Sequence, residues 1–475
     1  MINKLNVNMT SYLNPVLNLL FLMIPISFIL GNGITNGIGA LIILLGLIKF
    51  NKTIFKLNKD FLDYFLLIFF LIIILSSFIN YSIADEKFIR SIIFIKYLLF
   101  AFIIKKLIEE KTINIKHFIY VAAAISFVVS ISVIIEWIID FRIDEFLLYG
   151  DAYQKCSGKV LSTGILDLTE SCLKNNWEVY KSRSLKRFNS GIFFGENIAG
   201  GFITRFSLFV FFLLFYLKNI KNYNLKNYLL FFVILFICQL SSLVTGNRMS
   251  FILFLMMNFI YFFIYEINKK KLIIFFISIS LVFSIMITDK NLGAQYLSFF
   301  DNSKFLVKNF NKFVVKDTTK EEKLNPDYKQ HGSSHKYLFK TSVQIWKENK
   351  FFGTGFKSFR VECNAVHERS VYGACSNHPH NYYIELLSEI GLFGVISLMI
   401  IVLIIIFRYL KYFIKNYYKD KDLDEIFYAA TFISFIVEIF PIRSSGSFLS
   451  TGNSAYIFLL IGILMSNNLI KKSKK

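Results

Sequence analysis

The feature that most constrains this chain is the recurrence of apolar runs long enough to cross a hydrocarbon layer, which as helix takes about 17–25 residues. Such runs stand near residues 14–30, 35–49, 61–80, 88–104, 117–138, 190–216, 228–246, 249–266, 271–288, 384–408, 424–442 and 453–468. In lipid every backbone amide must be satisfied within the protein, so runs of this kind fold as helices; a strand barrel would alternate apolar and polar residues. The composition agrees, with 55% hydrophobic and 18% charged residues, and 56 Phe and 25 Tyr against five Pro. Ordinary soluble domains, disorder, collagen-like repeats and a secreted disulfide scaffold are excluded on the same grounds. The expected fold is all-α: a polytopic integral membrane protein of about twelve transmembrane helices with a large outer loop. The first run has Lys4 before it but no small-residue cleavage site behind it, so it is expected to be a retained helix and not a removed signal.

A formal charge of +21 can indicate a nucleic-acid partner, but in polytopic proteins Lys also accumulates in cytoplasmic loops. One alternate set of loops carries Lys49, Lys52, Lys56 and Lys59; Lys105, Lys106, Lys111 and Lys116; Lys218, Lys221 and Lys226; Lys269, Lys270 and Lys271; and Arg408, Lys411, Lys415, Lys419 and Lys421, with Lys471–Lys475 in the tail. The opposite short loops, 31–36, 80–86 and 443–447, have almost no Lys. Both termini are therefore expected inside, and nucleic-acid binding gains no support.

Two segments are too long and too polar to be connectors, 139–189 and 289–383, and both fall on the outer side. The expected divisions are helices 1–5 in 1–138, a first outer loop in 139–189, helices 6–9 in 190–288, a catalytic outer loop in 289–383, and helices 10–12 with a tail in 384–475. Cys156 and Cys172 lie in the first loop and Cys363 and Cys375 in the second, while Cys238 is alone in a helix. An even pair per outer loop suggests one disulfide in each, the alternative being four free thiols. From Asp289 to Asn381 the second loop holds 15 Lys or Arg against nine Asp or Glu, and five of the six His. That excess runs against the topological trend and points to an anionic partner. A metal site on His331 and His335 is not expected, because no Glu follows the first His and Gly332-Ser333-Ser334 weakens the helix.

The most specific text is Asn377-His378-Pro379-His380-Asn381-Tyr382-Tyr383-Ile384-Glu385-Leu386-Leu387-Ser388-Glu389-Ile390-Gly391-Leu392-Phe393-Gly394. It sets a His-Asn pair where a basic loop enters a helix, with Pro379 stiffening the approach and the helix dipole favouring anions. Glu385 and Glu389 are four apart on one face, and Gly391 and Gly394 would admit a closely packed neighbouring helix.

His-Asn, nine residues, then Gly-x-x-Gly resembles the signature of the O-antigen ligase and O-antigen polymerase superfamily of bacterial envelope glycosyltransferases, matched by His380, Asn381, Gly391 and Gly394. Arg187-Phe188-Asn189-Ser190-Gly191 through Asn197 resembles the family's Arg-x-x-Gly segment, although the family often has Pro near Glu196 or Asn197. Thr245-Gly246-Asn247-Arg248 resembles its Thr-Gly-Ser-Arg segment, with Asn for Ser. Lys340 through Phe359, with Trp346 and Gly353-Thr354-Gly355-Phe356, resembles the segment preceding the His. The resemblance covers the chain from residue 187 onward and implies a GT-C-like membrane enzyme.

It implies a donor glycan on undecaprenyl pyrophosphate, an acceptor that is a lipid A core sugar or a lipid-linked repeat, and an inverting reaction; the lack of a paired Asp-x-Asp or similar carboxylate cluster favours a metal-independent one, and no cofactor is expected. Such a transfer needs a base near neutral pKa and fixed cations. His380 is the expected base; a structural hydrogen-bonding role is the alternative. Arg248 is the expected catalytic cation, since Arg is scarce, ten against 43 Lys, and a guanidinium binds phosphate bidentately; snorkelling to headgroups or pairing with Glu136 or Glu438 is the alternative. Arg187, Arg360, Asn381 and Arg443 are expected substrate contacts, and Gly391, Gly394 and the four loop cysteines structural. Arg205 is balanced between an ion pair and function, and Arg90 and Lys96 have no assigned role. The Gly353-Thr354-Gly355 turn lacks the strand and helix of a nucleotide loop.

The expected protein is thus an O-antigen ligase-like glycosyltransferase of the bacterial inner membrane, with its active site facing the periplasm and with membrane lipid and envelope assembly proteins as further partners. A polysaccharide polymerase is the second reading. A lipid-linked glycan transporter is the third, and would call for repeats and broken mid-membrane helices that the sequence does not show.

Overall fold

The computed structural model describes residues 2–55, 60–80, 85–139, 188–193, 196–220, 225–265, 269–297, 335–369, 375–416, 422–443 and 446–466. Its regular elements, all helical, are α1 (Ile2–Leu22), α2 (Ile24–Leu30), α3 (Asn32–Phe50), α4 (Phe61–Ile79), α5 (Asp85–Ile93), α6 (Lys96–Glu109), α7 (Ile115–Ile139), α8 (Ala199–Ile220), α9 (Leu225–Val244), α10 (Arg248–Ile260), α11 (Lys269–Thr288), α12 (His335–Glu348), α13 (Phe359–Arg369), α14 (Tyr382–Glu389), α15 (Gly391–Asn416), α16 (Leu423–Glu438) and α17 (Thr451–Leu464).

All twelve expected runs contain helix, but fewer pass as uninterrupted spans. Among the described residues six helices are long and apolar enough to cross a membrane, or seven if the α1–α2 pair, bent by 49°, is one span. Several of the runs are interrupted locally. The 88–104 run is broken at Phe94–Ile95 between α5 and α6, and the 190–216 run becomes helical only at Ala199. The 249–266 run passes from α10 into a π-turn at Tyr261–Tyr265. The 384–408 run divides into α14 and α15 because Gly391 takes φ +78°. Hydropathy records that a stretch is apolar and does not record where its hydrogen-bond ladder is interrupted.

The chain forms two compact units, one of Met1–Phe118 with Ser303–Lys475 and one of Ile119–Asn302. In the first, α17 packs on α6 so closely that a methyl on Gly462 would lie 2.7 Å from the Ala101 carbonyl oxygen, and a methyl on Gly46 of α3 would lie 2.5 Å from Ile103 Cγ2. The start of α4 is fixed by charge. Asp60 caps it by accepting from Leu62 N and pairs with Arg408 of α15 at 2.8 Å. One turn on, Asp63 takes the buried Lys105 Nζ of α6 at 2.8 and 2.9 Å. Lys105 and Arg408, counted above as orientation charges, thus also tie helices together. In the second unit α8 packs on α9 and α10, and α9 on α11.

A buried pair is most damaging when only half of it is removed. Lys105→Met is expected to destabilise the protein by about 3–5 kcal/mol, and adding Asp63→Leu should recover most of that loss. Thermal unfolding of the three variants in one detergent checks the order.

Candidate active site

The break between α14 and α15 organises the residues around it in the first unit. Helix α12 leads into a turn in which Gly353, Gly355 and Lys357 have φ of +63°, +99° and +53°. This turn runs alongside the helix break, with Leu392 N donating to Lys350 O at 2.9 Å, Phe393 N to Phe351 O at 3.2 Å, Thr354 N to Ser388 O at 3.1 Å and Gly355 N to Glu389 O at 2.7 Å. Backbone meets backbone here. A methyl on Gly353 would lie 2.6 Å from Glu389 O, and one on Gly391 would lie 2.5 Å from Gly353 N. Gly391 therefore makes room for a turn, where the sequence suggested a neighbouring helix; Gly394 lies within α15 beside Ile390. The end of α4 completes the lock, as Ser76 Oγ donates to Glu389 O at 3.0 Å, Asn80 Nδ2 to Gly353 O at 3.0 Å, and Phe356 N to Ser77 Oγ at 3.0 Å.

The two glutamates one turn apart hold two loops. Glu389 accepts Lys357 N at 2.6 Å and Phe359 N at 3.2 Å, which caps α13. Glu385 accepts Phe448 N at 2.6 Å and the Ser447 hydroxyl, fixing the turn that enters α17. Both carboxylates are buried.

His380 stands at the head of α14 with φ +63°, a left-handed conformation that costs a non-glycine residue of order 1–3 kcal/mol and persists only where neighbours over-determine it. Asn381 supplies part of that determination. Its side-chain oxygen caps α14 by accepting from Tyr383 N at 3.0 Å and Ile384 N at 3.1 Å, while its Nδ2 donates to Pro441 O at 2.8 Å and Arg443 O at 3.1 Å. The expected substrate contact is thus an N-cap that also draws the 441–443 segment to the histidine. Cys363 of α13 and Cys375 are disulfide-bonded, and Cys363 is buried with Leu338, Ile345 and Phe359. Next to Cys375, the Ser376 hydroxyl lies 3.4 Å from His380 Nε2, and the His378 and His380 rings are 4.3 Å apart. Burial holds the His380 imidazole below the ordinary histidine range, which favours the neutral form able to take a proton.

Arg443 is buried, with Nη1 2.6 Å from Glu438 Oε2 and Cζ 5.3 Å from the Tyr382 ring centroid. Tyr382 donates to the same carboxylate at 2.9 Å. Glu438, suggested above as a partner for Arg248, is engaged by Arg443. Arg360 is exposed on the first turn of α13. The first unit therefore brings His380, Asn381 and Arg443 together. Arg187, Cys156 and Cys172 lie outside the described residues.

In the second unit Asn247 caps α10 by accepting from Ser250 N, and Arg248 follows it with Nη1 3.1 Å from Gln295 O. The two motifs expected there are joined, since Asn189 donates through N to Thr245 O at 3.3 Å and through Nδ2 to Val244 O at 2.6 Å. Gly191, at φ +59°, donates its N–H to Glu136 at 2.6 Å.

Sequence reasoning passed over Lys87 and Lys357. Lys87 is buried, and Lys357 is half-buried with its amine lowered by burial and raised by Glu389 and Glu385. The available signal was Lys87 itself, which closes an outer loop otherwise without lysine.

Residues 231–399 match the family model described as O-antigen ligase. The segment runs from α9 into α15 and contains Arg248, the Gly353 turn, His380, Asn381, Gly391 and Gly394. It supports the O-antigen ligase and polymerase superfamily. No curated protein matches the chain.

Gly391→Ala is expected to destabilise the protein more than Gly394→Ala. At 391 the added methyl meets backbone at positive φ, whereas at 394 its nearest contacts are side-chain atoms of Ile390. Folded yield and thermal midpoint of the two variants check the ranking.

Proposed function

We propose that the protein is a multi-pass membrane glycosyltransferase that moves a glycan from undecaprenyl pyrophosphate to a lipid A core acceptor, on the periplasmic side of the bacterial inner membrane. The observation that carries this reading is the O-antigen ligase match over 231–399, within which His380 is held in a strained backbone beside a helix cap. The twelve-run layout with both termini inside and a metal-independent, inverting reaction belong to the same reading.

In the proposed step the acceptor hydroxyl gives its proton to the neutral His380 imidazole as its oxygen attacks the anomeric carbon. The bond from that carbon to the diphosphate oxygen breaks, and undecaprenyl pyrophosphate leaves with the electron pair. One displacement inverts the anomeric centre. His380 then returns its proton to solvent. The guanidinium of Arg248, with Arg187 or Arg360, is proposed to take charge developing on the diphosphate, a form of stabilisation strong at water-poor sites. The Arg443–Glu438 pair, through Asn381, gives Arg443 a positioning role.

Purified protein given donor with lipid A core should yield one transfer product. Ladder growth from donor alone would establish the polymerase reading, and glycan crossing the bilayer without transfer would overturn the enzyme. His380→Ala should lower kcat by about 10²–10⁴. A lowered histidine pKa means that the base is lost only as pH falls below the ordinary value, so the acid limb of kcat/KM should lie under about 6.5. A rate profile over pH 4.5–8 checks that sign.

A further inference from the structure

Beside Arg360 the first unit holds two lysines, Lys87 and Lys357, to which the reaction derived above gives no part. Lys87 of α5 is 9% exposed and its Nζ has no hydrogen-bond acceptor. A buried ammonium in that condition is costly, and sites retain one when an opposite charge compensates it. Lys87 faces Glu389, Glu362 and Arg360. Lys357 faces Glu389, Glu385, Arg360 and Arg90, and Lys96 faces Lys357. Lys87 and Lys357 thus share Glu389 and Arg360 as charged neighbours.

Two of those carboxylates are already engaged, Glu389 by the amides of Lys357 and Phe359, and Glu385 by Ser447 and Phe448. Neither carboxylate accepts a hydrogen bond from Lys87 Nζ. The heads are also placed in a graded way, with Arg360 exposed, Lys357 half-buried and Lys87 buried. Lys357 is fixed by its left-handed backbone and by Nζ lying 5.5 Å from the Phe356 ring centroid.

We infer that Lys87, Lys357 and Arg360 form a binding site for a phosphate ester, whose oxygens supply the acceptor that Lys87 lacks. A phosphate suits the set better than a carboxylate. It offers oxygens in several directions to two ammonium groups and a guanidinium. Under the proposed function, on which this identification of the ester rests, it is the diphosphate of the lipid-linked donor. A phospholipid headgroup has the same chemistry and is the other source to be separated.

The full chain in phosphatidylcholine nanodiscs is titrated with undecaprenyl pyrophosphate, undecaprenol or phosphatidylglycerol, and bound lipid is read by native mass spectrometry. Undecaprenyl pyrophosphate should bind and undecaprenol should not. Lys87→Met and Lys357→Gln should each weaken that binding about tenfold or more, and His380→Ala should bind like the parent. Equal, lysine-dependent binding of phosphatidylglycerol would support the phosphate site and assign it to a headgroup. Lys87→Met should leave the thermal midpoint unchanged or raise it, since it removes an unpaired buried charge. Unchanged binding of both phosphate lipids by the two lysine variants would overturn the inference, whether or not the midpoint falls. Lysine-dependent binding with no glycan transfer would keep the site and remove the glycosyltransferase reading.

Discussion

The carbonyls at the end of α14 need donors that their own helix no longer provides. Once Gly391 turns the chain at φ +78°, Ser388 O and Glu389 O, both on buried residues, lose the donors of a continuing helix, and a buried carbonyl left unpaired is destabilising. The 350–355 turn and Ser76 supply those donors. Only glycine at 353 and 391 lets the two backbones approach closely enough. The Gly-Thr-Gly sequence thus serves a backbone junction, since its amides at 354 and 355 are engaged before any ligand could use them.

From that junction the rest of the site follows. With α14 anchored, Glu389 reaches the amides that start α13 and Glu385 those that lead into α17. Helix α13 then holds Cys363 where Cys375 can bond to it, so the segment approaching His380 is tied at Cys375 and, six residues on, by the Asn381 cap. A left-handed His380 is tolerated because both of its flanks are fixed. Preorganisation of this kind suits a base that must meet an incoming hydroxyl without rearrangement.

Much of this was legible in the sequence, for identifiable reasons. Apolar runs follow from a solvent constraint that acts on every residue, so all twelve contain helix. The Cys363–Cys375 bond followed from counting within one loop. The junction was not legible, because a glycine that admits a turn and one that admits a helix read alike. Nor were Glu385 and Glu389 as loop brackets, since spacing gives a shared face and not the partner. Asn381 was read for substrate because it adjoins His380, yet its atoms are occupied by the cap and the 441–443 segment. Breaks such as the one at Phe94–Ile95 escape any window that averages hydropathy.

The order of assembly follows from where these partners lie in the chain. The Ser76 hydroxyl meets the Phe352 carbonyl, 276 residues away, and the Glu389 carbonyl, 313 residues away. The first unit likewise joins Met1–Phe118 to Ser303–Lys475. Contacts so distant in sequence bear a loop-closure cost before they return any stability. The helices from α1 to α6 can pair locally, through Lys105–Asp63 and the Gly46–Ile103 contact, well before the junction exists. The polar end of α4, with Ser76, Ser77 and Asn80, then lacks its distant partners until the turn at 350–356 arrives. Serine and asparagine suit that interval, because Ser77 Oγ and Asn80 Nδ2 also reach carbonyls of their own helix, at 3.1 and 2.8 Å. Ser77 and Asn80 thus have partners within α4 before the lock forms, and Ser76 gains its partners with the turn.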